Sequence, residues 1–246
     1  MNPFIPINNS DIAIIDARAR EDLVEKLKSL NICVIKTVKC HELQEGVSYH
    51  PDMVIHPINQ NLLVVAPNVF DYYDEMLSKK GIIVVKGEKE LTSKYPDDIA
   101  YNVGRLRGFA IHNFIHTDEK LKWYLKKENI EFIDVKQGYS KCSLAIIDES
   151  SGITSDKTIF ESLSKKGMDI LKIEPGHINL EGYKYGFIGG ATGNYSKTQM
   201  FFTGKFDRHP DHRRIETFLR KRKVEIIYLS DDEIMDLGTI ITLNNC

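Results

Sequence analysis

The sequence predicts an α/β protein: one domain over residues 1–246, built as a closed ring of five β-β-α-β units. Three observations carry this. A unit of amphipathic helix, one-residue break and short β-branched strand recurs five times. Two further strand-like runs precede each later helix. The first unit lacks one strand, and the C-terminal end of the chain holds an unused one.

The repeated unit is first seen as a helix over 20–30, a break at Asn31 and a strand over 32–37. It returns as 72–80, Gly81 and 82–85, then as 118–128, Asn129 and 130–135. The last two copies are 156–166, Gly167 and 168–173, and 211–222, Lys223 and 224–229. The junctions lie on average about 48 residues apart, and four of the five are Gly or Asn, the residues that most easily take the left-handed turn ending a helix. Thr117 or Asp118, Ser155 or Asp156, and Asp211 are suited to cap the helix starts. Apolar residues recur at helical spacing within them, as at Leu121, Tyr124 and Leu125.

The strand runs expected before the later helices are 62–65, 109–112, 152–155 and 200–203. A further strand is expected before each of those, over 53–58, 103–106, 144–147 and 185–188. The first helix is preceded only by 12–15, and the run 238–242 is free to pair with it and close the circle, removing exposed sheet edges. A doubly wound sheet also alternates strands and helices, but it explains neither the extra strands nor the spare one at the end.

Composition narrows the functional classes. Lys plus Arg number 33 and Asp plus Glu 35, a formal net charge of −2, which argues against a polybasic nucleic-acid binder and an acidic tail alike. The basic helix bearing Arg213, Arg214, Arg220, Lys221 and Arg222 has no interleaved aromatics and reads as a solvated face. Four scattered cysteines form neither a disulfide framework nor a zinc motif, and His209 and His212 lack a matching third ligand, so neither metal nor cofactor is expected. The opening residues 1–6 have no basic region followed by an apolar core, and no run approaches the ~18 apolar residues of a membrane span. The expectation is a reduced, cytoplasmic protein. The stretch 183–194 is rich in Gly and Ala, without the spacing of a dinucleotide or P-loop motif. It suits either tight packing near the ring axis or backbone amides facing a bound carboxylate or phosphate.

Five such units in a ring resemble the pentein, or α/β-propeller, superfamily. Its members include arginine and agmatine deiminases, dimethylarginine dimethylaminohydrolase and the amidinotransferases, together with translation initiation factor six, a binding protein. The resemblance implies a central cavity in which a cysteine thiolate attacks a guanidinium carbon, carboxylates grip the cation and a histidine moves a proton. The family pattern runs Arg-Asp, Glu-Gly-Gly, Gly-His-x-Asp, then Gly and a cysteine near the C-terminus. Here His50-Pro51-Asp52 stands for the first, making Asp52 a candidate ligand carboxylate or a plain turn residue. At the second position the chain reads Tyr101-Asn102-Val103-Gly104-Arg105, so the acid is absent. Asn102 can only hydrogen-bond a ligand there, and Arg105 favours an anionic group. Gly176-His177-Ile178-Asn179 matches the third motif with Asn179 for the acid, but one blade late, and the blade expected to carry it holds Cys142. With Gly238 as the final glycine, Thr242 falls at the cysteine position and Cys246 lies beyond it.

The resemblance therefore implies a small polar, amino-acid-like or guanidino ligand in the cavity. If there is catalysis, Cys142 or Cys246 is the nucleophile and His177 the proton shuttle, with Asp52 and Asn102 on the ligand. The alternative is a non-catalytic binding protein of the same fold.

Overall fold

The computed structural model describes residues 1–244. Its strands form five separate three-stranded sheets, and each sheet is one of the repeats. The first blade holds β1 (Ile12–Ile15), α1 (Glu21–Ser29) and β2 (Cys33–Lys36). The second holds α2 (Pro51–Val54), β3 (Ile55–Asn59), β4 (Leu62–Val65), α3 (Phe70–Ser78) and β5 (Ile83–Lys86). The third is β6 (Gly104–Leu106), β7 (Phe109–His112), α4 (Glu119–Lys127) and β8 (Glu131–Asp134). The fourth is α5 (Ser140–Ser143), β9 (Leu144–Ile146), β10 (Ser151–Thr154), α6 (Lys157–Lys165) and β11 (Asp169–Lys172). The fifth is β12 (Thr192–Asn194), β13 (Gln199–Phe202), α7 (His212–Lys221) and β14 (Glu225–Tyr228), and the chain then returns as β15 (Ile241–Leu243).

In every blade the central strand pairs antiparallel with one neighbour and parallel with the strand that follows its helix. β15 completes the first blade against β1, with Ile12 opposite Leu243 and Ile14 opposite Ile241. The expected closure by the C-terminal strand is therefore present. Burial falls outward across a blade: β9 and β10 are wholly buried, whereas β11 alternates exposed and buried positions. The inner strands β6, β9, β12 and β15 lie side by side around the axis. Each of the longer helices buries a narrow stripe against its own sheet, as Ile159 and Leu163 do in α6, whereas the single turns α2 and α5 are buried throughout.

All five helix–strand junctions take the left-handed conformation: Asn31, Gly81, Asn129, Gly167 and also Lys223, at φ 56°. Asp118 and Asp156 cap α4 and α6, accepting from the amides of Leu121 and Ile159. Asp211 does not cap α7; its carboxylate accepts from the amide of Glu174 and so ties two blades together.

Three strand expectations need correction. Residues 185–188 form no strand, and the inner strand of the fifth blade is β12. The run Tyr185-Gly-Phe-Ile has strand-like composition, but its glycines permit a turn that presses against other backbone. A Cβ at Gly189 would collide with the carbonyls of Lys141, Cys142 and Leu144, and one at Gly190 with Asp236. Met53 and Val54, expected in a strand, belong to the single turn of α2, which Pro51 starts from its first position. β15 begins at Ile241, so Gly238 (φ 68°) and Thr239 (φ 73°) form a left-handed turn ahead of it.

The segment 2–6 is buried beside the inner strands. Asn2 donates to the carbonyl of Arg105, Phe4 meets His56 edge-on at 5.6 Å, and Lys141 Nζ lies 5.1 Å from the Phe4 ring.

Lys223 carries a Cβ through a conformation that costs an L-residue about 1–2 kcal/mol, whereas glycine gives up about 0.5–1 kcal/mol of extra backbone entropy. Lys223→Gly is expected to stabilise the fold by about 0.5–1 kcal/mol, read as a rise in the denaturation midpoint in urea. An unchanged or lowered midpoint contradicts this account of the junction.

Candidate functional site

Two single-turn helices reach the ring axis just before inner strands, and they carry the chemistry. In α2, Pro51 sets the turn and Asp52 is fully buried; in α5, Lys141 and Cys142 are buried next to each other. Asn102, in the equivalent approach to β6, ties the two together. Its side-chain carbonyl accepts from the amides of Lys141 (2.8 Å) and Cys142 (3.1 Å). Its amide group donates to Cys142 Sγ (3.0 Å) and to the Asp52 carbonyl (3.2 Å). The Cys142 thiol donates in turn to Asp52 Oδ2 at 3.1 Å.

The turn before β15 supplies the other side. Thr239 Oγ1 donates to Asp52 Oδ2 (2.7 Å) and accepts from Lys141 Nζ (2.9 Å). Asp236 accepts from the amides of Phe187 (2.8 Å) and Gly238 (2.9 Å). The Gly-rich stretch thus directs one backbone amide, that of Phe187, at a carboxylate, and that carboxylate is the chain's own and not a bound ligand's.

His50 stands between two acids without a hydrogen bond to either: Nε2 is 3.8 Å from Asp16 Oδ2 and Nδ1 is 3.9 Å from Asp236 Oδ1. Asp16 is held by the Arg18 guanidinium through two N–H donors, at 3.0 and 2.7 Å. Gly238 lies so close to His50 that a side chain there would overlap the imidazole.

These groups border a cavity of about 400 Å³. His50, Met53, Cys142 and Asp236 line it together with Val47, Tyr139, Leu180, Tyr183, Lys184, Tyr185 and Phe187. Asp52 and Asn102 do not line it; they stand behind Cys142. Burial, followed by the negative charges of Asp52 and Asp236, pushes the Cys142 thiol well above its ordinary range. Burial likewise raises the Asp236 carboxyl and lowers the Lys141 ammonium, the latter opposed by Asp52, Cys142 and Asp236. The resting thiol is therefore protonated, in keeping with its place as donor to Asp52.

Of the residues expected from sequence, the structure brings together Cys142, Asp52 and Asn102. His177 lies in a different pocket, half-exposed, with Glu174 at 3.7 Å and the His209 ring at 5.1 Å. Asn179 lines that same pocket and donates to Glu233. Arg105 is buried in β6 with its carbonyl on Asn2, and burial lowers its guanidinium to about 10. Thr242 pairs with Ala13 in the closing ladder and donates to the Asn194 carbonyl. Cys246 lies outside the described residues. Sequence reading missed His50, Asp236, Thr239 and Lys141 as members of the site. The signals were present for His50, which adjoins Asp52, and for Thr239, which follows the glycine of the last motif. Among the described residues no group of three or more His, Cys, Asp or Glu is placed to hold a metal, and no helix is long and apolar enough to cross a membrane.

Solved structures similar to this chain share its ring. The inosamine-phosphate amidinotransferase of Streptomyces griseus superposes with a TM-score of 0.59 at 11% identity, covering 100% of this chain and 96% of its own. The agmatine deiminase of C. jejuni gives 0.56 at 10%, covering 98% and 95%. The saxitoxin-pathway amidinotransferase SxtG of Microseira wollei gives 0.55 at 11%, covering 92% and 90%. At these identities the likeness establishes the fold, a five-bladed pentein propeller. Comparison with curated proteins by sequence gives no match. A model described as a family of unknown function (DUF6873) matches residues 14–241, nearly the whole ring. The chain belongs to that family of unknown function, DUF6873, and its fold is that of the pentein superfamily.

Proposed function

We propose that the protein binds a small cationic guanidino or amidino ligand in the central cavity and that Cys142 attacks its electrophilic carbon, as in a C–N hydrolase or transferase. One observation carries this reading: the Cys142 thiol sits on the cavity wall with Asp52 and Asn102 hydrogen-bonded to it from behind. The neighbourhood also favours a cation. Asp16 is matched by Arg18, which leaves Asp52 and Asp236 facing the single ammonium of Lys141.

A guanidinium entering beside Asp236 favours the thiolate, because an opposite charge stabilises the ionised sulfur. The S–H proton passes to Asp52 along the existing hydrogen bond as the C–S bond forms. The C–N bond then breaks as the leaving amine takes up a proton. His50, in the cavity wall with both ring nitrogens unpartnered, is placed to give that proton and to recover one from the attacking water or acceptor amine, while Asp52 returns its proton to the departing sulfur. Attack by water or by an acceptor amine on the S-linked carbon releases product and returns the thiol. In this assignment His50 takes the part expected of His177.

A purely binding role has one observation in its favour, the burial that keeps the resting thiol protonated. The two readings differ in covalent chemistry. With 2-chloroacetamidine, a cationic alkylating mimic of a guanidine, Cys142 is expected to be labelled faster than with neutral iodoacetamide at pH 7. Peptide mapping with the Cys142→Ser variant as control checks it. Absence of a Cys142 adduct with either reagent, in a protein whose melting temperature the cations still raise, overturns the catalytic reading.

The acid beside the thiol sets the direction of a second outcome. Because the Asp52 charge raises the thiol, Asp52→Asn is expected to make it more acidic and to speed iodoacetamide labelling of Cys142 near neutral pH. Each tenfold gain in thiol acidity raises the thiolate fraction there about tenfold and, because a more acidic thiol gives a weaker nucleophile, the rate about threefold. In the unaltered protein the labelling rate is expected to keep climbing as the pH rises past about 9, the ordinary thiol range. A rate that levels off near pH 7, or slower labelling of Asp52→Asn, contradicts this electrostatic account.

A further inference from the structure

We infer that the ligand of the central cavity is a monocation with an apolar body, an aryl- or alkyl-substituted guanidine or amidine, and not a free amino acid. This rests on the cation-binding reading above and specifies the rest of the molecule. A ligand such as arginine brings a carboxylate as well as a guanidinium, and a buried carboxylate needs donors. His50 stands between the carboxylates of Asp16 and Asp236, which disfavour a further anion beside it, and Tyr185 is exposed; the other donors in and around the cavity are engaged by the protein itself. The Tyr139 hydroxyl donates to Asp98 Oδ2 at 2.6 Å, and the Tyr183 hydroxyl to Gln44 Oε1 at 2.7 Å. The amides of Phe187 and Gly238 are held by Asp236, and that of Gly190 by the Cys142 carbonyl at 3.0 Å. Arg18 is directed to Asp16 and to the carbonyls of Glu45 and Gly46.

What the walls do offer is aromatic and aliphatic surface. With their hydroxyls turned away, Tyr139 and Tyr183 present ring surface. Phe187 stacks near Tyr139 with centroids 6.4 Å apart, and Met53, Val47 and Leu180 fill the remaining wall. Rings of this kind attract a cation through their faces and bury the carbon chain attached to it. The Tyr183 ring is held in place, lying over Gly46 where a side chain would collide with it. The polarity is thus graded, from Cys142, His50 and Asp236 to the apolar groups. Among the described residues Lys184 is the one cation of the lining. It is exposed, so its attraction for a carboxylate is screened by water and contributes little.

The test is calorimetric titration of the full chain bearing Cys142→Ser, to prevent turnover, with benzylguanidine, agmatine, arginine and the uncharged benzylurea. Benzylguanidine is expected to bind at least about tenfold more tightly than arginine and than benzylurea. Tyr185→Ala, a change at an exposed ring, is expected to weaken benzylguanidine several-fold while leaving agmatine almost unaffected. Arginine binding as tightly as agmatine or benzylguanidine overturns the inference but leaves the cation site standing. Benzylurea matching benzylguanidine, or no binding by any guanidinium, overturns the inference and the cation-binding reading together.

Discussion

The pairing of Ile241–Leu243 with Ile12–Ile15 is the contact on which the rest of the molecule depends. A β-β-α-β blade of this size cannot bury a core alone, so each gains stability only from its neighbours. Without the returning strand the first blade is a two-stranded fragment. The segment that returns does more than close the ring. Residues 236–239 lead directly into it, and they deliver Asp236 to the Phe187 amide, Gly238 to the face of His50 and Thr239 to Asp52 and Lys141. The amide of Asp52 donates to the Gly238 carbonyl at 3.1 Å, fastening the turn to the second blade. Closure of the ring and assembly of the site are therefore one structural event.

Burying that many ionisable groups together is costly unless each has a partner, and the pairings show how the cost is limited. Asp52 receives two donors on one oxygen, from Cys142 and Thr239, while its other oxygen has none. Lys141 has the Thr239 hydroxyl, the Gly189 carbonyl and the Phe4 ring. His50 has two acids near 4 Å and no hydrogen bond. A fully satisfied network would lock the core; this one leaves hydrogen-bonding capacity at His50 on the cavity wall and at Asp52 behind Cys142. Unpartnered buried polar atoms beside a pocket are where a structure keeps capacity for a ligand.

The architecture was legible because its signals are local. Amphipathic spacing, a left-handed residue at each junction and β-branched runs are all written within a dozen residues, and even Lys223, which lacks the usual composition, could be placed by its position in the repeat. Asp52, Asn102 and Cys142 were legible for a related reason: each lies in the same position relative to the inner strand of its blade. Asp236 was not, and the local signals at His50 and Thr239 do not by themselves mark a site, because what makes them one is contact across the ring, between residues more than 180 apart in the chain. The offset between Thr239 and Thr242 has a simple origin. Counting from Gly238 assumed an extended strand, whereas the left-handed pair Gly238–Thr239 turns the chain first and gives Thr239 the place at Asp52. His177 was drawn in by its motif, yet its loop belongs to the outer pocket it shares with His209.

The protonated state of the resting thiol connects the electrostatics to the proposed chemistry. A thiolate permanently exposed in a cavity would react with any small oxidant or electrophile that entered. Here burial and the charges of Asp52 and Asp236 oppose ionisation and favour the S–H form. Burial is unchanged when a cation arrives, but the electrostatic opposition is relieved. The added positive charge offsets the two carboxylates, and the same Asp52 that disfavoured the thiolate through its charge is already in position to receive the proton. A neutral molecule of similar shape fills the space without altering that balance. In the proposed reaction the nucleophile is then activated only by occupants that carry positive charge, and selectivity for cations would arise in the reacting group itself as well as in the walls around it.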